Sequence, residues 1–184
     1  MHKPIDIANF FVELSCAKEE GYITNLKVNK LLYFAQAWSY VRNGRPLFDE
    51  DIEAWQYGPV VPSVYNAFRS YGRDNISETC GKLSFDNFSE AELQLLIDIQ
   101  REYGKYEAST LVDMTHEKGS PWQKVYDGSH RVISPDSMRA YFSQKRPLST
   151  FDTRSIERKE AVGYRDPLDG LLVLPAEYDE EYSV

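Results

Sequence analysis

The stretch from Asn25 to Tyr71, NLKVNKLLYFAQAWSYVRNGRPLFDEDIEAWQYGPVVPSVYNAFRSY, most limits the folds open to this chain. Val28, Leu31, Leu32, Ala35 and Trp38 recur there at helical spacing, with Lys27 and Lys30 expected on the opposite side. Tyr33, Phe34 and Tyr40 widen the apolar surface beyond one stripe, so this helix is predicted to be central and covered on more than one side. Thr24 or Asn25 can cap its start, and Asn43-Gly44 followed by Arg45-Pro46 ends it. Asp51 to Tyr57 then alternates with the period of a short strand. Pro59 and Pro62 forbid regular continuation, because each lacks an N–H and restricts the residue before it. Pro62 fits the first turn of a further helix through Val64, Tyr65, Ala67 and Phe68 to Gly72.

The rest of the chain reads as packing around that stretch or as an appendage to it. Pro4 opens a helix with Ile5, Ala8, Phe11 and Leu14 on one face, stopped by Gly21. Lys82 to Phe85 is a candidate edge strand. Ser89 and Glu92 form a capping box for a helix through Leu93, Leu96 and Ile97 that ends at Gly104. A shorter helix starts at Ala108 or Ser109 and closes near His116. Ser120-Pro121 and Ser134-Pro135 each pair an N-cap with a first-turn proline. The expected fold is mainly α: a compact multi-helix domain over residues 1–147 with one or two short strands. Residues 148–184 form a linker, a β-hairpin and an acidic tail, the hairpin joining Val162–Arg165 to Leu171–Leu174 through Asp166-Pro167-Leu168-Asp169-Gly170. A lone hairpin is marginal in water, so it must dock on the domain, a partner or another copy.

Composition narrows the function. A net charge of -8 and a pI near 5.0 argue against nonspecific nucleic-acid binding, which needs clustered Lys and Arg. The residues from Phe151 onward carry nine acids against four bases, and a Tyr-containing acidic tail is a ligand for a basic cleft as readily as a solvated terminus. Cys16 and Cys80 have no metal-ligand spacing; Cys16 is expected to be a small buried hydrophobe, and a reducing cytosol suits both. Ile5 to Leu14 is too interrupted by Asp6, Asn9 and Glu13 for a signal peptide, and no apolar run is long enough to span a membrane. A cytoplasmic, soluble protein is expected.

Few residues carry an obvious chemistry. Of His2, His116 and His130, a catalytic reading would pair His116 with Glu117 or Asp113, or place His130 near Asp127 and Ser129; neither forms an established signature, and a helix-end histidine meeting the negative end of the dipole explains His116 as well. Asp49, Glu50, Asp51 and Glu53 have no EF-hand spacing and read as a solvated face. There is no phosphate-binding glycine loop, no catalytic residue is assigned, and no metal or cofactor is expected. Tyr57-Gly58-Pro59-Val60 is different: a Gly-Pro between an extended segment and a helix fixes an exposed corner, with Tyr57 at its edge. A rigid turn and a recognition surface are both open there, as for Trp122, which follows Ser120-Pro121 and can pack against that corner.

Three ordered motifs carry a family resemblance. They are Leu26-x3-Lys30-Leu31-Leu32-Tyr33-Phe34-Ala35, the Phe48 to Phe68 segment with Trp55-x-Tyr57-Gly58-Pro59-Val60 and Val64-Tyr65, and Thr115-His116-x3-Ser120-Pro121-Trp122. Together, over about residues 1–145, they resemble the Panacea domain of SocA-like and phage-associated GepA-like proteins. The resemblance implies a mainly helical antitoxin that neutralises a toxin encoded beside it by protein–protein binding, in a type II toxin–antitoxin system, without being an enzyme. The SocA branch implies an alternative, a proteolytic adaptor delivering its toxin to the ClpXP protease. A hydrolase or transferase using His116 is the remaining alternative. The partner is a cognate toxin, with ClpXP and a second copy of the chain as further candidates, and no nucleic acid or membrane is expected. Motif match points to Tyr57, Gly58, Pro59, Val60 and Trp122 as toxin-binding residues. Outside the shared region, Tyr164, Leu171, Val173 and Tyr178 are candidates to add a strand to a partner's sheet edge, with Asp179 to Glu181 imitating a phosphate-rich substrate.

Overall fold

The computed structural model describes residues 1–17, 22–81 and 87–151, together with the backbone of two short strands at 164–165 and 172–173. Thr24 starts the central helix α2 (Asn25–Arg42) by accepting the Lys27 N–H on its hydroxyl, and Asn43 closes it. Around α2 pack α1 (Pro4–Cys16), α3 (Pro62–Ala67), α4 (Glu90–Tyr103), α5 (Ala108–Thr115) and α7 (Pro135–Phe142), together with a small β-hairpin. The short α6 (Pro121–Val125) lies against α5 and α7. The wide apolar surface of α2 is thus consumed on several sides, as its sequence predicts. Leu31, Leu32, Ala35 and Ala37 are wholly buried, and Tyr33, Phe34 and Trp38 nearly so.

The helix starts follow their local signals. Ser89 and Glu92 complete the capping box on α4, and Ser120 and Ser134 cap α6 and α7 ahead of their first-turn prolines. Gly72, at φ 57°, ends the 3-10 turn Arg69–Tyr71 that follows α3.

The polar side of α2 departs from the sequence reading. Lys27 and Lys30 are buried, not solvated, and so are Asn29, Gln36 and Ser39. Four of these side chains fix the backbone of the chain that returns along the helix. Ser39 Oγ donates to the Arg45 carbonyl at 2.8 Å, and Gln36 donates to the Phe48 carbonyl while accepting the Leu47 N–H. Asn29 Oδ1 accepts the Val61 N–H and Lys30 Nζ donates to the Pro59 carbonyl, each at 2.9 Å. Helical periodicity located these residues opposite the apolar stripe. Their environment was decided by the segment from Arg45 to Val61 lying on them.

That segment includes the hairpin β1 (Glu53–Trp55) and β2 (Gly58–Val60), antiparallel, with Glu53 opposite Val60 and Trp55 opposite Gly58. Pro59 therefore sits inside a strand, against expectation. Its partner Ala54 directs its N–H away from β2, to the Arg131 carbonyl at 2.8 Å. Ala54–Pro59 is thus a non-hydrogen-bonded pair, and the missing proline N–H costs the ladder nothing. The Val132 region extends the sheet on the far side of β1, through the Ala54–Arg131 bond and Ile133 N–H to Ile52. The free edge of β2 is covered by Asn29 and Lys30.

Both ends of the helical unit are tied down. His2 stacks on Phe88 at 3.9 Å and reaches Glu92 at 3.2 Å. Arg42 pairs with Asp98 at 2.6 Å and donates to the Leu148 carbonyl, while Asp98 accepts the Phe151 N–H. Met1–Phe151 forms one unit and Asp152–Val184 another. In the second, β3 (Tyr164–Arg165) pairs antiparallel with β4 (Leu172–Val173), Tyr164 opposite Val173. The acidic tail, the expected stop at Gly21 and the candidate strand Lys82 to Phe85 lie outside the described residues. Cys16 corrects another expectation: it is exposed, as is Cys80, because it falls in the last turn of α1, where its thiol meets the carbonyls of Ile76 and Ser77 at the surface.

Candidate protein-binding site

The three sequence motifs converge on one point. Lys30 comes from α2, Gly58 and Pro59 from β2, and Thr115 and His116 from the end of α5. A Cβ on Gly58 would lie 2.6 Å from Thr115 Oγ1 and 2.7 Å from Lys30 Cε. Only glycine fits, and its φ of 95° is the left-handed backbone that other residues avoid. The hairpin is therefore pressed against α2 and α5 through its own main chain.

Trp122 closes the same contact from the other side. Its indole N–H donates to the Trp55 carbonyl at 2.8 Å. Its ring stacks on His116, with centroids 3.6 Å apart, and on Tyr126 at 4.4 Å. Ser120 sets that geometry locally, since its hydroxyl caps α6 while donating to the Thr115 carbonyl at 2.7 Å. The spacing Thr-His-x3-Ser-Pro-Trp thus folds into one turn that presents His116 and Trp122 together.

The electrostatics of this node are those of a dry interior. Lys30 is fully buried, its amino group donates to Pro59, and burial lowers its pKa from 10.5 to about 7. His116 is also pushed down, first by burial and then by the charge of Lys30, with Asp113 opposing. The imidazole Nε2 is buried with no hydrogen-bond partner among the described residues, and the hydrogen bond between His116 and Asp113 is from backbone N–H to backbone carbonyl. The arrangement packs His116 as a ring. Among the described residues no group of three or more His, Cys, Asp or Glu is placed to hold a metal ion.

Above the node the hairpin presents aromatic surface. Tyr57, in the turn, is 62% exposed. Trp55 is half-buried, with His130 stacked on it at 4.6 Å, Tyr65 tilted against it at 4.9 Å and Glu53 accepting its indole N–H. His130 holds its place in left-handed backbone, φ 54°, the one such non-glycine residue among those described. Val132, opposite Glu53, adds exposed apolar area. Glu50 accepts the N–H and hydroxyl of Ser63 at the start of α3, so part of the acidic run is spent on a helix end.

The candidates drawn from sequence separate into two kinds. Tyr57 is exposed, whereas Gly58, Pro59 and Val60 are buried, so the expected exposed corner is a buried strand with an exposed tip. The reason is the covering of β2 by α2 and α5. Trp122 does pack against the corner, from beneath. Tyr164 and Val173 are opposite each other in the second unit, while Leu171 and Tyr178 lie outside the described residues. Sequence reasoning missed Lys30 as a hairpin support and Trp55, Tyr65 and His130 as its outer surface. A lysine inside a run of large apolar residues was the available signal for the first. For Trp55 and Tyr65 it was their place in the second motif, and for His130 there was none.

Comparison with known proteins identifies the family. The family described as "Antitoxin SocA-like, Panacea domain" matches residues 28–123, more than half of the chain and the span that contains the node. Antitoxin SocA of Caulobacter vibrioides (strain NA1000 / CB15N) is 31% identical over 135 residues, 66% of this chain and 69% of that protein. No solved structure is a significant match to the chain.

Proposed function

The chain belongs to the SocA-like, Panacea-domain antitoxin family, and on that premise we propose that it neutralises a cognate toxin by direct protein–protein binding in a type II toxin–antitoxin system. The observation that carries the reading is the hairpin. All three motif segments meet beneath it, and what they support is a tip with Tyr57 in solvent and an aromatic flank of Trp55 and Tyr65. Rigid aromatic anchors on a preorganised scaffold are what a protein interface needs, because little entropy is lost when they dock. The toxin's working surface is occluded by this face. The β3–β4 pair, with Tyr164 opposite Val173, is a second contact that adds a strand to the toxin's sheet edge, and Leu171 and Tyr178, neighbours in sequence, belong to the same proposed contact.

A second reading, implied by the resemblance to the SocA branch, is that the chain delivers its toxin to the ClpXP protease. One growth experiment tests both. A host expressing the protein encoded beside this chain is rescued by co-expression of the chain, and rescue that persists without ClpXP means occlusion. Rescue lost without ClpXP means delivery. A harmless neighbour, or no rescue, removes the antitoxin reading.

A further inference from the structure

A cavity of about 210 Å³ opens on the opposite flank of α2, between α4, α5 and α7. Its inner wall is aromatic: Phe34 and Tyr103 stack in parallel at 4.0 Å, and Phe142 meets Phe34 edge-on. Its outer wall carries the exposed cations Lys145 and Arg146. Lys145 pairs with Glu117 at 2.5 Å, whereas Arg146 has no ion-pair partner among the described residues. The cavity thus combines an apolar sleeve with a guanidinium at its mouth that no described residue pairs. Behind the sleeve the Tyr33 hydroxyl is buried, with no hydrogen-bond partner among the described residues.

Size and chemistry select a ligand class. An engineered apolar cavity of ~150 Å³ holds benzene, so this one takes one substituted ring and not a larger scaffold. An arginine unpaired among the described residues matches a carboxylate with two parallel hydrogen bonds. We propose that this cavity binds a small aromatic monocarboxylate, with its ring against Phe34, Tyr103 and Phe142 and its carboxylate on Arg146.

The test uses the isolated full chain and para-hydroxyphenylacetate, so it is independent of any toxin. Titration followed by NMR is expected to give saturable binding that shifts the Trp38 indole N–H resonance, which reports on the Tyr103 hydroxyl it bonds at 3.0 Å. Arg146→Glu, an exposed change, weakens binding about tenfold or more. Met114→Trp fills the sleeve and abolishes it, and para-cresol, lacking the carboxylate, binds more weakly than the acid. Absence of saturation up to ~10 mM, the weakest range in which a ligand of this size is useful, overturns the proposal. So does binding that Arg146→Glu leaves unchanged.

Discussion

Lys30 Nζ donates to the Pro59 carbonyl at 2.9 Å across a contact so close that residue 58 has no room for a side chain. A lysine is a costly way to hold a strand edge, because burial penalises its charge and no carboxylate is bonded to it among the described residues. Its four-carbon stem reaches from α2 to the hairpin while the amine satisfies a carbonyl that proline's neighbours leave on the strand edge.

The cost is readable as a pH dependence. The folded pKa of Lys30 is about 7 against an ordinary 10.5, so between these values the unfolded chain holds a proton that the folded chain has lost. Stability therefore rises with pH across this window, and the penalty is fully developed below pH 7. From pH 7 to 9 the gain amounts to about 2 kcal/mol, by the linkage of ~1.4 kcal/mol per unit. Urea denaturation at each pH is expected to show this slope in the wild type and to lose it in Lys30→Met.

Gly58→Ala places a methyl group 2.6 Å from Thr115 Oγ1, in backbone that alanine disfavours. A loss of about 2–4 kcal/mol in unfolding free energy is expected, with the hairpin displaced. Crowding relief distinguishes the cause: Thr115→Ser leaves the clash, whereas Thr115→Gly combined with Gly58→Ala recovers part of the loss.

Trp122→Phe keeps a ring beside His116 but removes the only indole N–H that reaches the Trp55 carbonyl among the described residues. A loss of about 0.5–1.5 kcal/mol is expected from the lost hydrogen bond, measured by thermal unfolding. On the proposed function, binding to the toxin is expected to weaken as well, since the support of the exposed tip is loosened.

At the other end of α2, burial pushes the Glu92 carboxyl up, but the backbone and side chain of Ser89, together with His2, win and hold its pKa at about 2. A depressed carboxyl contributes stability that is present above its unfolded pKa and is lost as pH falls through the folded value. Acid unfolding of the wild type between pH 4.5 and 2 should therefore be steeper than that of Glu92→Gln, followed by far-UV circular dichroism.

The legible part of this fold was the local part. Ser89 with Glu92, Ser120-Pro121 and Ser134-Pro135 mark helix starts because a cap needs only residues three positions apart. The central position of α2 was readable because its apolar surface exceeds what one neighbour can cover. The burial of Lys27 and Lys30 was not, since periodicity separates polar from apolar faces without saying what lies on the polar one. Pro59 inside a strand depended on which way Ala54 turns its N–H, a matter of register with Arg131, 77 residues on. In the candidate site the motif residues were visible in sequence, but their partition into a buried support and an exposed tip was not. That partition needed the helices on either side.

The central claim is that the supported hairpin tip is the surface the toxin meets. Calorimetric titration of the purified toxin encoded beside this chain into the wild type and Tyr57→Ala tests it most directly, with both melting curves recorded. The account predicts an unchanged melting temperature, because Tyr57 is mostly in solvent, and an affinity at least tenfold weaker, about 1.4 kcal/mol. Equal affinities with equal stabilities would contradict it and move the interface away from the hairpin.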